Sequence, residues 1–462
     1  MGAMRPRFGT TRPGSRATRR SLSAAPHPGT VGRDMPHPSD SDSVRKLMLF
    51  FAVVYTVEGI GQAKVGIVWQ PLTWFLKTQH GWTALQIAAS LAVLDVPWVV
   101  KPLYGLVSDF VPLFGYRRRS YLLLSNLAAV IAFAAVTRVT KPGPIVFALL
   151  LTAIAMAISS TLCGALLVEN GQRHDASAAF VNQQWLWFNG AVAATSLLGG
   201  ALIEWFSPTG ALHVAAVIAG VAPIAVLICL RLVTEPHAGI DQAALRQRLQ
   251  ALFDTFRSST LWLVAIFLFC YYFSPGFGTP LYFHMTDHLH FSQALIGALS
   301  AVSAAGWVAG GLAYRWFLAG MRTRRLLQLS IVLGTLATLA YLLMLGPVSG
   351  VIVYFLAGMA GMIANVATLT LAAEHCPANA EGFAFAALMS VINLATPLAD
   401  ASGAFLYEHV FANHLAPLII LSAAATAFVL VLIPFFGITG QASEQRHREL
   451  RTANVQSDRQ DT

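Results

Sequence analysis

KPLYGLVSDFVPLFGYRRRSYL, residues 101–122, joins the end of one apolar run to the start of the next through a connection too short to be a domain. Beyond Lys101 it carries one acid, Asp109, and three arginines, Arg117, Arg118 and Arg119. Arginines in a short loop between two hydrophobic spans mark the cytoplasmic face of a membrane protein. Outward from this loop, runs of about 20 apolar residues, enough to cross the hydrocarbon layer as a helix, recur along the whole chain. Twelve are expected, at 47–76, 84–107, 119–139, 144–168, 177–206, 211–233, 258–283, 293–318, 325–346, 349–373, 380–409 and 415–437. Their length points to an all-α membrane protein, because barrel strands are short and alternate in polarity.

Composition agrees. The 462 residues are 56% hydrophobic and 11% charged, with a mean hydropathy of +0.62, whereas a soluble domain is about 25% charged. Charge also sets an expected orientation. Nine of the 30 Lys and Arg precede or begin the first run, and three lie at 117–119. Arg173 follows the fourth run, and Arg322, Arg324 and Arg325 lie between the eighth and ninth; the alternate loops hold Lys77, Arg138 and Lys141. The asymmetry puts both termini in the cytoplasm and requires an even number of spans. The net charge of +9 thus reports topology, and no nucleic-acid partner is expected.

Cys163, Cys229, Cys270 and Cys376 fall in or beside apolar runs and read as packing residues. Neither a metal-ligand spacing nor a phosphate-binding loop occurs, so no cofactor, metal site, catalytic residue or built-in ATPase is expected. Residues 1–44, rich in Arg, Ser, Pro and Gly, are expected to be a disordered cytoplasmic tail. Residues 45–233 and 258–437 form two groups of six runs, joined by a cytoplasmic linker at 234–257 and followed by a cytoplasmic tail at 438–462.

An internal repeat supports two halves. A shift of 205 residues lays Gly105 on Gly310, Gly115 on Gly320, Arg117 on Arg322 and Arg119 on Arg324, with Asp109 on Tyr314. Parallel six-helix repeats of this kind build many secondary transporters.

The 101–122 segment resembles the loop 2–3 signature of the major facilitator superfamily, and within it the folate–biopterin transporter family. Two further blocks carry the likeness: PGFGTPLYFHMTDHLHFSQALIG, 275–297, and CPANAEGFAFAALMSVINLA, 376–395. The resemblance implies the major facilitator fold and transport of a folate- or pterin-like solute. There is one departure. The stretch SSTLCGALLVEN in the fourth run has Ser160 and Gly164 where the family pattern carries two acids, which weakens the substrate assignment and leaves the fold untouched.

Candidate residues follow from cost. Ionisable groups inside a span are expensive and usually face a cavity or a partner. Glu58 and Asp95 each lie about 18 Å from the cytoplasmic edge at 1.5 Å rise per residue, near the midplane. Glu58 shares a helix face with Gln62, and Lys64 and Lys101 are candidates for meeting an anionic solute. A carboxylate withdrawn from water suits proton uptake and release near neutral pH. The loop signature, with Gly105, Asp109, Arg117, Arg118 and Arg119, is expected to act as a conformational gate through charge-assisted bonds. The resemblance adds Tyr271 and Tyr272 beside Pro275, Asn365, Asn393, and on the fifth run Gln183, Gln184, Trp185, Trp187 and Asn189. His284, His288 and His290 are expected in a solvated loop.

The expected function is secondary active transport by alternating access, coupled to protons, by a monomer in the inner cell membrane. The cargo is a folate- or pterin-like or other small organic solute. Alternatives are an exporter of an unrelated organic anion or drug, and a non-transporting assembly factor or receptor on the same fold. An enzyme is not expected.

Overall fold

The apolar runs fold as helices because a backbone kept from water must satisfy its own N–H and C=O groups. A computed structural model describes residues 38–174, 176–237, 257–376 and 381–434, and the regular elements among them are helical. Residues 1–37 of the expected tail, 238–256 of the expected linker, 377–380 of the third family block and everything from 435 onward lie outside the described residues.

The first bundle comprises α1 (Pro38–Gly61), α2 (Trp69–His80), α3 (Ala84–Val99), α4 (Lys101–Phe110), α5 (Arg119–Val136), α6 (Pro142–Arg173), α7 (Ser177–Trp205) and α8 (Pro208–Cys229). The second comprises α9 (Ser259–Tyr272), α10 (Gly278–Asp287), α11 (Gln293–Ala313), α12 (Thr323–Ala340), α13 (Pro347–Glu374), α14 (Glu381–Phe405) and α15 (Leu415–Leu432). Starts are chemically marked. Thr83 opens α3 with a capping box, accepting from the Gln86 N–H at 3.3 Å while its own N–H donates to Gln86 Oε1 at 3.0 Å. Ser207, Ser258 and Ser292 cap α8, α9 and α11 more simply, each hydroxyl accepting from the N–H three residues on.

Among the described residues ten helices are long and apolar enough to cross a membrane. The runs expected at 47–76 and 258–283 are each divided into two shorter helices. The first division falls at 62–68. There the Gly66 N–H donates to Gln62 O at 2.7 Å and the Ile67 N–H to Ile60 O at 3.1 Å. A Cβ on Gly66 would lie 2.2 Å from the Ile60 carbonyl oxygen, so this turn closes only on glycine. Pro71 sits in the first turn of α2, where its missing N–H costs nothing. The second division, at 273–277, contains Pro275 and Gly276.

Each bundle has its own core, with α1 on α7 and α5 on α6 and α8 in the first, and α13 on α11 and α12 in the second. Among the described residues the two most extensive crossings between them are α7 on α11 and α3 on α14. Backbones meet closely at the first: a Cβ on Gly200 would lie 2.4 Å from Gln293 O, and one on Gly297 2.3 Å from Ser196 O. Small residues permit such contact between apolar helices. Helix direction alternates, so Arg117–Arg119, Arg173 and Arg322–Arg325 share one end of the molecule, here the arginine end. The loops at 81–83, 137–141, 206–207, 288–292 and 411–414 form the far end.

Replacing Gly297 by valine forces α7 and α11 apart and is expected to cost about 1–3 kcal/mol. Thermal unfolding in detergent reads this as a lowered midpoint. Gly190→Ala, at a position with nothing within 4 Å of the added Cβ, lowers it not at all.

Candidate functional site

The division at 62–68 carries Lys64 into the seam between the bundles. Its Nζ donates to Asp95 Oδ2 on α3 at 2.9 Å and to Asp400 Oδ2 on α14 at 2.8 Å. The three side chains are 26%, 16% and 28% exposed, withdrawn from solvent yet not sealed. An ammonium has three protons to donate and serves both acids at once. The cluster thus holds two acids and one base. The second interrupted helix reaches the same point: the Gly276 N–H donates to Ala399 O at 2.8 Å. A Cβ on Gly276 would lie 2.3 Å from Asp400 Oδ1.

Within the first bundle lies a second cluster. Ser160 Oγ on α6 donates to Glu58 Oε1 at 2.8 Å, and Lys101 Nζ donates to Ser160 Oγ at 3.0 Å. Lys101 also stands 4.6 Å from the Trp98 ring centroid. It is therefore an internal partner and does not snorkel to an interface as its position near a span end suggests. Glu58 Oε2 and the Tyr55 hydroxyl are buried without a hydrogen-bond partner among the described residues. Serine at 160 lets one hydroxyl relay between the acid and the lysine. Gln62 contributes through its backbone, its carbonyl accepting from Val65 and Gly66.

The second bundle holds hydroxyl pairs of its own. Tyr271 bonds Ser330 at 2.9 Å and Tyr272 bonds Thr368 at 2.9 Å. Asn365 lies one turn earlier on α13, its carbonyl accepting from Thr368. Asn393 Nδ2 donates to Trp98 O at 3.0 Å, linking α14 to α3. The segment at 274–276 is tied to its neighbours: the Ser274 side chain donates from Oγ to Ser422 O at 2.9 Å, and the Gly276 N–H is bound as above. On α7, Trp187 bonds Gln183 and Asn189 bonds the Trp185 carbonyl, so these side chains turn back on their own helix. His284 lies in α10, its ring tilted against that of His288 with centroids 5.1 Å apart.

The loop signature divides its labour unevenly. Arg118, only 6% exposed, holds Asp109 at 2.6 Å, Glu169 at 3.0 Å and Ser108 Oγ at 2.5 Å. Ser108 in turn donates to the Gly105 carbonyl at 2.9 Å. The N-terminus of α5 is capped by Glu235: the N–H groups of Arg117, Arg118 and Arg119 each donate to it at 2.9 Å. Arg119 leans over the Tyr116 ring. Gly115 has φ +79°, and a Cβ there would strike His237. Gly105 meets no such constraint, since an added Cβ would touch only Thr161 at 3.6 Å. The 205-residue repeat extends to contacts. It lays Arg118 on Thr323 and Glu169 on Glu374, and Thr323 Oγ1 donates to Glu374 Oε1 at 2.6 Å.

Asp400, Glu169 and Glu235 are absent from the sequence-based candidates. Asp400 carries the same signal as Asp95, an acid within an apolar run; the two glutamates sit at run edges, where acids are unremarkable.

Comparison with known proteins agrees with this architecture. The BT1 family pattern matches residues 60–447. A folate–biopterin transporter of Synechocystis is 31% identical over 416 residues, covering 85% of this chain and 81% of its own length. A probable folate–biopterin transporter of Arabidopsis thaliana is 24% identical over 370 residues, covering 74% and 72%. Among solved structures, the nucleoside transporter NupG superposes with a TM-score of 0.65 at 15% identity, covering 86% of this chain and 99% of that one. A D-xylose–proton symporter gives 0.64 at 12% identity, covering 86% and 99%. The chain belongs to the BT1 family and is a secondary transporter, not an enzyme.

Removing Lys64 strands two half-buried acids. Lys64→Met is expected to destabilise the protein by about 1–3 kcal/mol, read by thermal unfolding. In Lys64→Met/Asp95→Asn/Asp400→Asn the cost shrinks, because no unpaired charge remains; additive losses would refute a shared cluster.

Proposed function

We propose that this member of the BT1 family moves a folate- or pterin-like compound, or another small organic solute, across the inner cell membrane by alternating access. The observation that carries this is the Lys64 ammonium bridging Asp95 of one bundle and Asp400 of the other, level with both helix interruptions. The interrupted pairs α1–α2 and α9–α10 supply two crossings beside the ten long helices, giving twelve in two six-crossing halves. The arginine end faces the cytoplasm, as the distribution of Lys and Arg favours. The solute class is supported by the relatives' names and by the tyrosines and amides of α9, α13 and α14, which suit a flat heterocycle. Monomeric action is expected, since both halves lie in one chain.

Proton coupling is assigned to Glu58 and to the Lys64 cluster. Glu58 is withdrawn from water, tied through Ser160 to Lys101, and has one oxygen free to carry a proton. Asp109 and Arg118 act as the conformational gate together with Arg117, Arg119 and Gly105, whose carbonyl holds Ser108. Export of an unrelated organic anion or drug is the second reading, favoured by Ser160 and Gly164 where the family pattern carries acids.

The test is uptake of labelled folates, pterins and related anions into proteoliposomes, with and without an imposed pH gradient. Gradient-dependent accumulation of one of them is expected; no movement or binding of any would overturn the solute class. Glu58→Gln should abolish gradient-driven accumulation and spare solute exchange between equal internal and external pools. Asp109→Asn should reduce uptake to that of empty vesicles while the protein still reaches the membrane in normal amount.

A further inference from the structure

The far end is held shut by a reciprocal pair of contacts between the bundles. Glu204, in the last turn of α7, accepts from the N–H of Ala294, in the first turn of α11, at 2.9 Å. Glu408, just beyond α14, accepts from the N–H of Leu85, in the first turn of α3, at 2.6 Å. In the first contact the first bundle supplies the acid and the second the helix start; in the second the roles reverse. Both acids are 204 residues apart and both acceptor-facing helix starts 209 apart, close to the 205-residue repeat. The two contacts are thus the same device built twice about the pseudo-twofold axis.

The chemistry suits a releasable joint. A helix N-terminus carries about half a positive charge on N–H groups that have no partner inside the helix. Ala294 and Leu85 stand second in their helices, so their N–H groups need an outside acceptor. A carboxylate from the opposite bundle supplies it and adds charge–dipole attraction. When the bundles part, water replaces the acid at small cost. Other bonds lie along the same seam. Gln70 Nε2 donates to Gln293 O at 2.7 Å and to Gln293 Oε1 at 3.0 Å, and Lys77 pairs with Asp287. Glu408, Lys77 and Asp287 border one depression of about 680 Å³ between the bundles.

We propose that Glu204 and Glu408 are positioning residues of the transport cycle, twin clamps that close the far side by capping helix starts of the opposite bundle. This rests on the alternating-access reading above. The clamps predict equal and cumulative effects. Loss of either carboxylate weakens closure roughly two- to fivefold, and loss of both multiplies the two.

The experiment is pulsed electron paramagnetic resonance on the full chain in lipid nanodiscs. Spin labels go on Thr78→Cys and Asn413→Cys at the far end, in a chain whose four native cysteines are serine and which retains uptake. The unaltered chain should give a short, dominant distance and a longer, minor one. Glu204→Ala and Glu408→Ala should each raise the longer population by the stated factor, with the double variant higher still. Glu204→Gln and Glu408→Gln, which keep an acceptor and lose the charge, should fall between, and they carry the same comparison if an alanine variant does not fold. Glu374→Ala, at the arginine end, should leave the distribution unchanged. Two distances in the unaltered chain with no shift in either glutamate variant would overturn the clamps and spare alternating access. A single distance in every variant would overturn both.

Discussion

One ammonium shared by two carboxylates from opposite bundles is the constraint around which the rest of this molecule is arranged. Lys64 can reach Asp95 and Asp400 only because the first helix unwinds at 62–68. That unwinding depends on Gly66 lying against the Ile60 carbonyl. Asp400 can approach only because Gly276 offers no side chain on the facing segment. A charge in this setting is costly unless paired, so the ion cluster and the helix interruptions require one another. An uninterrupted first helix would bury the lysine without partners.

Around this joint the bonds named across the seam fall between the middle and the far end: Asn393 to Trp98, Gln70 to Gln293, Lys77 to Asp287, and the two glutamates on helix starts. Among the described residues at the arginine end, Arg118 gathers Asp109, Glu169 and Ser108 of its own bundle. A transporter built this way can separate its halves at one end without dismantling either bundle. Glycine-mediated backbone contact between α7 and α11 makes the closed seam tight. The polar links are few enough to break.

Much of this is legible in the sequence, for physical reasons. Span length and the arginine distribution follow from the bilayer and need no partner residue to be known. Glu58, Asp95 and the loop arginines stand out because charge is rare in such runs. The helix interruption at 62–68 is not legible in the same way. Hydropathy stays high through IGQAKVGIV, and the decisive fact, the distance from Gly66 to Ile60, exists only in three dimensions. Pairings are hidden for a similar reason. Nothing local says that Lys64 meets Asp400, 336 residues away, or that Glu235 caps α5. The repeat is the exception: the offset that lays Arg118 on Thr323 also lays Glu169 on Glu374, and both pairs touch.

The account depends most on Asp400, the second bundle's share of the Lys64 cluster. Its most direct test is uptake by Asp400→Asn in proteoliposomes, measured beside equilibrium binding of a solute that the unaltered chain carries. Binding retained with uptake at the level of empty vesicles is the predicted result. Uptake at the rate of the unaltered chain would contradict it.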